Sequence, residues 1–193
     1  MNRIIAALLL AVCSSGPVLA DGAPLINVNL NPDAWPIEPF TLLDHHGQRF
    51  TEAHLEGQWT FVVFGDTRCA ERCGAAMTAL AGVRERMGKA QAGDDTQVLF
   101  ISVAPERDER LGDFVTRFNR TFIGASGSPE TLAQLSALLN VRVSPDQSAV
   151  SEPAPIMLVD PDGFPKAQFF PPYDAAALTS EYLRIRLCRG QSR

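Results

Sequence analysis

The chain has 193 residues, of which 46% are hydrophobic and 20% are charged. This composition predicts one globular domain with a substantial core and excludes a disordered chain. The formal net charge of -5 argues against a nucleic-acid partner and against binding of the folded domain to anionic lipid. Contact with a membrane is therefore expected only through an N-terminal anchor.

Residues 1–20 are typical of a signal peptide. Arg3 provides a basic start, residues 4–12 form an apolar run too short to span a bilayer, and residues 18–20 fit the small-residue pattern before a cleavage site. Cleavage after Ala20 would leave a soluble protein. An alternative is lipid attachment at Cys13, because LAVCSS resembles a bacterial lipobox. Both alternatives predict an exported, periplasmic protein.

Residues 21–39 are rich in proline and asparagine and indicate an extended linker. A single domain is predicted from residue 40 to residue 187, followed by a short tail at 188–193. It opens with a hairpin over residues 40–51 that turns at HHG. The strands predicted after the hairpin cover residues 59–64, 98–103, 122–123, 156–159 and 167–170. The predicted helices cover residues 69–89, a segment opened by residues 105–110, residues 129–139 and residues 175–187.

Strands that alternate with helices predict an α/β fold, with a central mixed β-sheet flanked by helices on both faces and an N-terminal hairpin extension. The first central strand, FVVF, ends just before two cysteines. This places the thiols at the carboxyl end of a strand, which is the usual site region of open α/β sheets. The layout is thioredoxin-like.

Cys69 and Cys73 are the main candidate site residues. Thiols four positions apart near the start of a helix lie about one turn apart on one face, where the helix N-terminus favours thiolate. The pair suits reversible disulfide chemistry or the binding of a soft metal ion. A purely structural disulfide is disfavoured because so short a loop restrains little of the unfolded chain. Cys188 is expected to be a free surface thiol or to pack against the domain.

Arginines flank the pair. Arg68 and Arg72 either belong to an ordinary charged surface around a helix start or lower the pKa values of the two thiols.

Several segments together resemble the Sco/SenC family of copper-handling proteins with a thioredoxin fold. They are FTLLDHHGQRFT, GQWTFVVFGDTRCAERCG, VLFISVAPERDE, FIGASGS and IMLVDPDG, and they extend from about residue 40 to residue 185. The resemblance implies a domain that binds copper through both cysteines and one histidine and that helps to assemble the copper centre of cytochrome oxidase. Some members of the family look more like thiol-disulfide reductases.

The chain departs from the family pattern at three places. Glu152 stands where the resemblance places the histidine ligand, Ala104 replaces an aspartate, and Ala70 and Glu71 replace Pro-Asp between the cysteines. A carboxylate is a hard ligand and a poor match for Cu(I), whereas two thiolates alone can hold Cu(I). We therefore expect weakened copper binding, with Cu(II) affected most.

Other side chains near the predicted site have more than one interpretation. Glu152 is either a solvated loop residue or a neighbour of the thiols that acts as a general base. The three histidines of the chain are expected to be turn residues rather than ligands: His45, His46 and His54.

Three functions remain open from the sequence. The first is an exported Sco-like protein that binds Cu(I) through Cys69 and Cys73, or reduces target thiols, with the copper subunit of cytochrome oxidase or another copper or thiol protein as its partner. The second is a metal-independent thiol-disulfide oxidoreductase in which Cys69 attacks and Cys73 resolves. The third is a thioredoxin-fold binding module without catalysis.

Overall fold

The computed structural model describes residues 26–68, 72–89, 93–104, 108–143 and 155–190. Within these ranges the chain forms eight strands, four α-helices and one short 3-10 helix, Glu52–His54. The strands are β1 Asn27–Leu30, β2 Thr41–Asp44, β3 Arg49–Thr51, β4 Trp59–Gly65, β5 Thr96–Ser102, β6 Ile123–Ser126, β7 Ile156–Val159 and β8 Pro165–Phe170. The helices are α1 Arg72–Lys89, α2 Asp108–Thr116, α3 Pro129–Leu138 and α4 Ala175–Gly190.

All eight strands belong to one mixed sheet, in the order β1-β8-β7-β4-β5-β6-β2-β3. The three central strands β4, β5 and β6 are parallel, and α1 and α2 connect them. The outer strands pair antiparallel on both sides. The predicted mixed sheet is thus confirmed, and the predicted hairpin is present as β2 and β3, which extend the sheet beyond β6.

The sheet is buried on both faces. On one face, α1, α2 and α4 cover a core that includes Phe61, Val63 and Phe100. On the other face, α3 and the hairpin cover Val62, Phe64 and their neighbours. Strands β4 and β7 are buried along their whole length, as expected for strands with helices on both sides. The prediction of helices on both faces is therefore confirmed.

The N-terminal boundary of the domain differs from the prediction. Asn27–Leu30 does not belong to a linker but forms the edge strand β1, in which Asn27 pairs with Phe170. Ile26 and Val28 also pack against the core. The alternating asparagines concealed the strand, because they occupy its exposed positions while Val28 faces inward.

The C-terminal boundary also differs. Helix α4 continues to Gly190, so residues 188–190 belong to the last helix rather than to a tail. The other predicted helices agree with α1, α2 and α3 to within a few residues. Phe118, which follows the end of α2, packs against the core. The proposed signal peptide lies outside the described residues.

Candidate functional site

The turn between β4 and α1 carries the described part of the candidate site. Cys73 lies in the first turn of α1, and its side chain is buried, with 6% of the residue exposed. The other predicted members are less fully described. Cys69 and Glu152 lie outside the described residues, and of Arg72 only the backbone is described, as the first residue of α1.

Both described cysteines are disulfide-bonded. The prediction of a free surface thiol at Cys188 is therefore wrong. Cys73 and Cys188 are not bonded to each other, because they lie at opposite ends of the sheet. Cys73 lies beside Gly65 at the end of β4. Cys188 follows Arg186, which contacts Asp95 just before β5 begins. The two ends of a seven-residue strand are about 20 Å apart, and the Cα atoms of a disulfide lie within about 7 Å.

Gly65, the last residue of β4, makes room for the Cys73 sulfur. A Cβ added at this position would overlap with the Sγ of Cys73 and would lie 3.0 Å from the ring of Phe100. The end of the strand is held in place by its neighbour, since the Val103 N–H donates to the Gly65 carbonyl at 2.8 Å. The absence of a side chain at residue 65 is therefore what allows the sulfur to lie against the strand.

Asp66 is a buried carboxylate in the same turn, with 7% of the residue exposed. Its Oδ1 accepts the backbone N–H of Arg68 at 2.7 Å and lies 3.4 Å from the Arg68 Nε. Arg68 is thus paired with Asp66, which the sequence analysis did not foresee. An acidic residue between a buried strand and a cysteine pair is the sequence signal that could have found it.

Serine side chains tie together the neighbouring strand ends at this edge of the sheet. The Ser102 hydroxyl donates to the Ala104 carbonyl at 3.1 Å, and the Ser126 hydroxyl donates to the Ser102 carbonyl at 3.2 Å. Ser102 and Ala104 are both buried. These hydrogen bonds therefore hold the carboxyl ends of β5 and β6 together beside the turn that carries Cys73.

The histidines lie away from Cys73. His45 and His46 are turn residues, as predicted, whereas His54 is the last residue of a short 3-10 helix, Glu52–His54. His45 and His46 occupy the turn after β2, three strands from β4 or about 14 Å across the sheet. The Gly124 N–H donates to the His45 Nδ1 at 3.2 Å. His54 accepts the Thr51 N–H, and its carbonyl accepts from Gln97 near the opposite end of β4. None of the three can contact the Cys73 sulfur in this fold.

A cavity of about 220 Å³ lies elsewhere in the molecule, between the edge strands β1 and β8 and the end of α3. Its polar lining comes from Asn29, Asn31, Asn140 and Gln168. Asn31 bonds to Lys166 at the start of β8, which is the end of the sheet opposite to Cys73. The cavity is therefore not part of the cysteine site.

The reactive group of the described site is the sulfur of Cys73. Among the described residues, no group of three or more His, Cys, Asp or Glu side chains is arranged to hold a metal ion. In the part of the chain that the structure describes, no helix is both long and apolar enough to cross a membrane.

Comparison with known proteins places this arrangement in context. A "Putative copper-binding protein" of Stutzerimonas stutzeri is 31% identical over 169 residues, which cover 81% of each chain. The human "Protein SCO1 homolog, mitochondrial" is 32% identical over 133 residues, which cover 65% of this chain and 44% of that protein. The chain spans between 30% and 52% of the length of matching mitochondrial relatives.

Solved structures of Sco proteins are also similar to this chain. The structure of Arabidopsis thaliana ScoI with copper bound superimposes with a TM-score of 0.68 at 28% identity, covering 79% of this chain and 99% of that one. This similarity confirms the thioredoxin-like fold. The SCO1/SenC family model matches residues 31–185, which include the whole turn from Gly65 to Cys73. The chain therefore belongs to the SCO1/SenC family.

Proposed function

We propose that this protein binds Cu(I) through Cys69 and Cys73 and acts in maturation of the copper centre of cytochrome oxidase, as an exported, periplasmic protein. The observation that carries the proposal is the position of Cys73 in the first turn of α1, at the carboxyl end of β4 and four residues after Cys69, in a member of the SCO1/SenC family. The copper-bound structure of the Arabidopsis relative supports copper as the cargo.

The described residues fit a soft monovalent ion better than a hard one. Thiolate sulfur prefers Cu(I), and the start of a helix favours thiolate because its N–H groups carry partial positive charge. No imidazole lies close to Cys73 among the described residues, since the three histidines are held elsewhere. The proposed site is therefore a two-sulfur Cu(I) site with weak affinity for Cu(II).

A thiol-disulfide oxidoreductase is the second candidate, and the disulfide state and burial of Cys73 favour it. In this reaction the thiolate of Cys69 attacks a substrate disulfide and releases one substrate thiolate. The thiolate of Cys73 then attacks the Cys69 sulfur, which releases the second substrate thiolate and leaves an oxidised cysteine pair. An external dithiol must reduce the pair before the next cycle. The buried Cys73 suits the resolving role.

Anaerobic titration of the reduced protein against a competing Cu(I) chelator tests the copper proposal. We expect one Cu(I) per chain, and we expect Cys69→Ser and Cys73→Ser each to remove most of the affinity. Cys188→Ser is the matched control, because it removes a cysteine from the opposite end of the sheet and should leave the affinity unchanged. Equal copper retention by the Cys69→Ser/Cys73→Ser double variant would refute the proposal.

Measurements of the midpoint potential and of Cu(I) binding separate the two candidate functions. An oxidoreductase without a metal role would show a measurable midpoint potential and would reduce a model disulfide, yet would not compete with the chelator for Cu(I). A binding module without catalysis would do neither.

Glu152→His tests the position of the missing ligand. If residue 152 lies beside the thiols, an imidazole there should strengthen Cu(II) binding and produce new visible absorption on addition of Cu(II). The unchanged spectrum of wild type is the control. No new absorption would show that residue 152 is remote from the sulfurs.

The proposed export has its own test. Mass spectrometry of the protein isolated from the periplasm should give a mature chain that begins at Asp21, or a lipid-modified chain that begins at Cys13. An intact N-terminus on protein recovered from the cytoplasm would contradict export.

A further inference from the structure

We infer that β1 pairs with β1 of a second copy of this chain, in antiparallel orientation about a two-fold axis at Asn29, so that the two sheets join into one. Strand β1 is an edge of the sheet, and its outer side has no partner strand among the described residues. The inference concerns assembly of the protein and goes beyond the proposed function, because it does not depend on copper binding.

The register with β8 decides which backbone groups of β1 point outward. The Asn31 N–H donates to the Lys166 carbonyl at 2.8 Å, just beyond the end of β1, so these two residues form a hydrogen-bonded pair. Such pairs alternate with non-hydrogen-bonded pairs along an antiparallel ladder. The asparagines of β1 therefore also bond to β8. The N–H and C=O groups of Val28 and Leu30 point away from β8 and are available to a further strand.

The edge at β1 lacks the features by which proteins commonly prevent strand pairing, namely charges, proline and bulges. Its sequence, NVNL, has no charge and no proline, and its register with β8 is regular. The opposite edge strand, β3, is shorter and carries Arg49. Three of the four residues of β1 are exposed, among them Leu30 at 48%. Of the two edges, β1 is therefore the one to which another strand can add.

The apolar side of β1 is complementary to itself. With the axis at Asn29, Val28 of each copy lies opposite Leu30 of the other, and each such pair exchanges both of its backbone N–H···O bonds. The two side chains lie on the face of the sheet where Val28 packs against the core. Pairing therefore gives the exposed Leu30 an apolar neighbour across the strand boundary.

The polar side of β1 is complementary to itself as well. Asn29 lies opposite Asn29 of the second copy, and Asn27 lies opposite Asn31. Each side-chain amide has both donors and an acceptor, so two asparagines can bond to each other. Polar residues thus meet polar residues and apolar residues meet apolar ones, without any charged partner. This match favours a second copy over a different protein as the occupant of the edge.

Pairing through β1 keeps the two cysteine sites apart. Strand β4, which ends at the turn with Cys73, is separated from β1 by β7 and β8 in each copy. The two β4 strands would lie about 34 Å apart across the joined sheet and run in opposite directions. The amount of Cu(I) bound per chain should therefore be the same in monomer and dimer, and a failure of Cu(I) binding would leave this inference intact.

Sedimentation equilibrium of the purified protein tests the assembly. A strand pair of this length buries little surface, so the dimer should be weak and the concentrations should extend to about 1 mM. We expect the average mass to rise with concentration toward that of two chains. Leu30→Pro should abolish the rise, because it removes an outward N–H and leaves the bonds to β8 in place. A mass of one chain at every concentration would overturn the inference.

Charge variants at residue 29 distinguish pairing from a loss of folding. Asn29→Asp and Asn29→Lys each place like charges opposite each other across the axis, so each variant alone should remain monomeric. An equimolar mixture of the two should regain the dimer, because opposite charges then face each other. Association of either variant alone to the same extent as wild type would contradict the inference.

Cysteine variants test the register. Asn29→Cys places two thiols in a non-hydrogen-bonded pair whose Cα atoms are about 4.5 Å apart, which a disulfide can span. Mild oxidation should therefore give a covalent dimer on a non-reducing gel. Asn27→Cys is the matched control, because its two copies would be displaced by about 13 Å along the strands. Wild type measures the background from the native cysteines. Cross-linking of Asn27→Cys as efficiently as Asn29→Cys would show that the axis is not at Asn29.

Discussion

The sulfur of Cys73 lies against Gly65, in the space that any side chain at residue 65 would fill. The last residue of β4 and the first turn of α1 therefore fit together only because residue 65 is glycine. The close approach fixes the position of the buried cysteine relative to the sheet. Within the sequence FGDTRC, Gly65 therefore packs against the cysteine in addition to ending the strand.

Gly65→Ala should destabilise the fold by about 1–3 kcal/mol, because the added methyl group overlaps with the Cys73 sulfur and crowds the ring of Phe100. Gly74→Ala is the matched control, since among the described residues no atom outside its chain neighbours and its own helix backbone lies within 4 Å of a Cβ at that position in α1. The control should be neutral or stabilising by up to about 1 kcal/mol. Urea unfolding of both variants measures the difference, and equal stabilities would contradict the packing argument.

A buried hydrogen-bond network joins α4 to the sheet. The Tyr182 hydroxyl lies 2.6 Å from the Thr96 Oγ1 and accepts from the Arg186 guanidinium at 2.7 Å, while Arg186 also binds Asp95 through two 2.8 Å bonds. Tyr182→Phe should cost about 1–2 kcal/mol of unfolding free energy, because it leaves the buried Thr96 hydroxyl without this partner. A double-mutant cycle with Thr96→Val should show coupling of at least about 0.5 kcal/mol. Strictly additive effects would show that the hydroxyls act independently.

The alkaline stability of the protein should depend on Tyr182. Burial raises the pKa of Tyr182 above its ordinary value of 10.0, against smaller opposing contributions from Thr96 and Arg186. The folded state then keeps the phenolic proton at a pH where the unfolded chain has lost it. This contribution to stability is complete below pH 10 and is lost as the pH rises from 10 toward the raised value. Tyr182→Phe should therefore show a shallower loss of unfolding free energy above pH 10 than wild type, as followed by urea unfolding. The partly buried Tyr173, whose pKa is also raised by burial, remains in both proteins.

Ser128 caps α3, which covers the second face of the sheet. Its hydroxyl accepts the Thr131 N–H at 3.3 Å at the start of α3. Ser128→Ala should cost about 1 kcal/mol. Ser180→Ala is the control, because the exposed Ser180 hydroxyl bonds within the middle of α4 and should change stability by no more than about 0.5 kcal/mol. A larger loss at Ser180 than at Ser128 would contradict the assigned cap.

Val28→Asp tests whether β1 belongs to the folded unit. Val28 packs against the core, whereas the neighbouring Asn29 is exposed. A carboxylate at residue 28 should cost about 1–3 kcal/mol, whereas Asn29→Asp should be nearly neutral. Thermal unfolding measures both. Equal melting temperatures would support the linker that the sequence had indicated.

The sequence predicted the central part of the fold because its elements are defined by local patterns. The continuous apolar runs of β4 and β5 need no knowledge of distant residues. The same holds for the three- and four-residue spacing of the apolar residues of α1: Met77, Leu80, Val83 and Met87. Strand β1 could not be predicted in the same way. Its four residues become a strand only by pairing with β8, about 140 residues away, and NVNL alone is typical of a polar linker.

The candidate site was predicted in its residue types but not in its contacts. The position of Cys73 at the end of β4 followed from the strand-turn-helix pattern. The packing of its sulfur on Gly65 and the pairing of Asp66 with Arg68 depend on backbone geometry within the turn, which sequence spacing does not specify. The family resemblance was carried by several short segments together, and the match over residues 31–185 confirms it.

The pairing of β1 with β8 has a consequence for the order in which the molecule forms. Because Asn27 pairs with Phe170, the sheet cannot be completed until residue 170 has been synthesised and is free to fold. Contacts between residues so distant in sequence form slowly. We expect the N-terminal strand to be the last to join, after the parallel centre has already assembled.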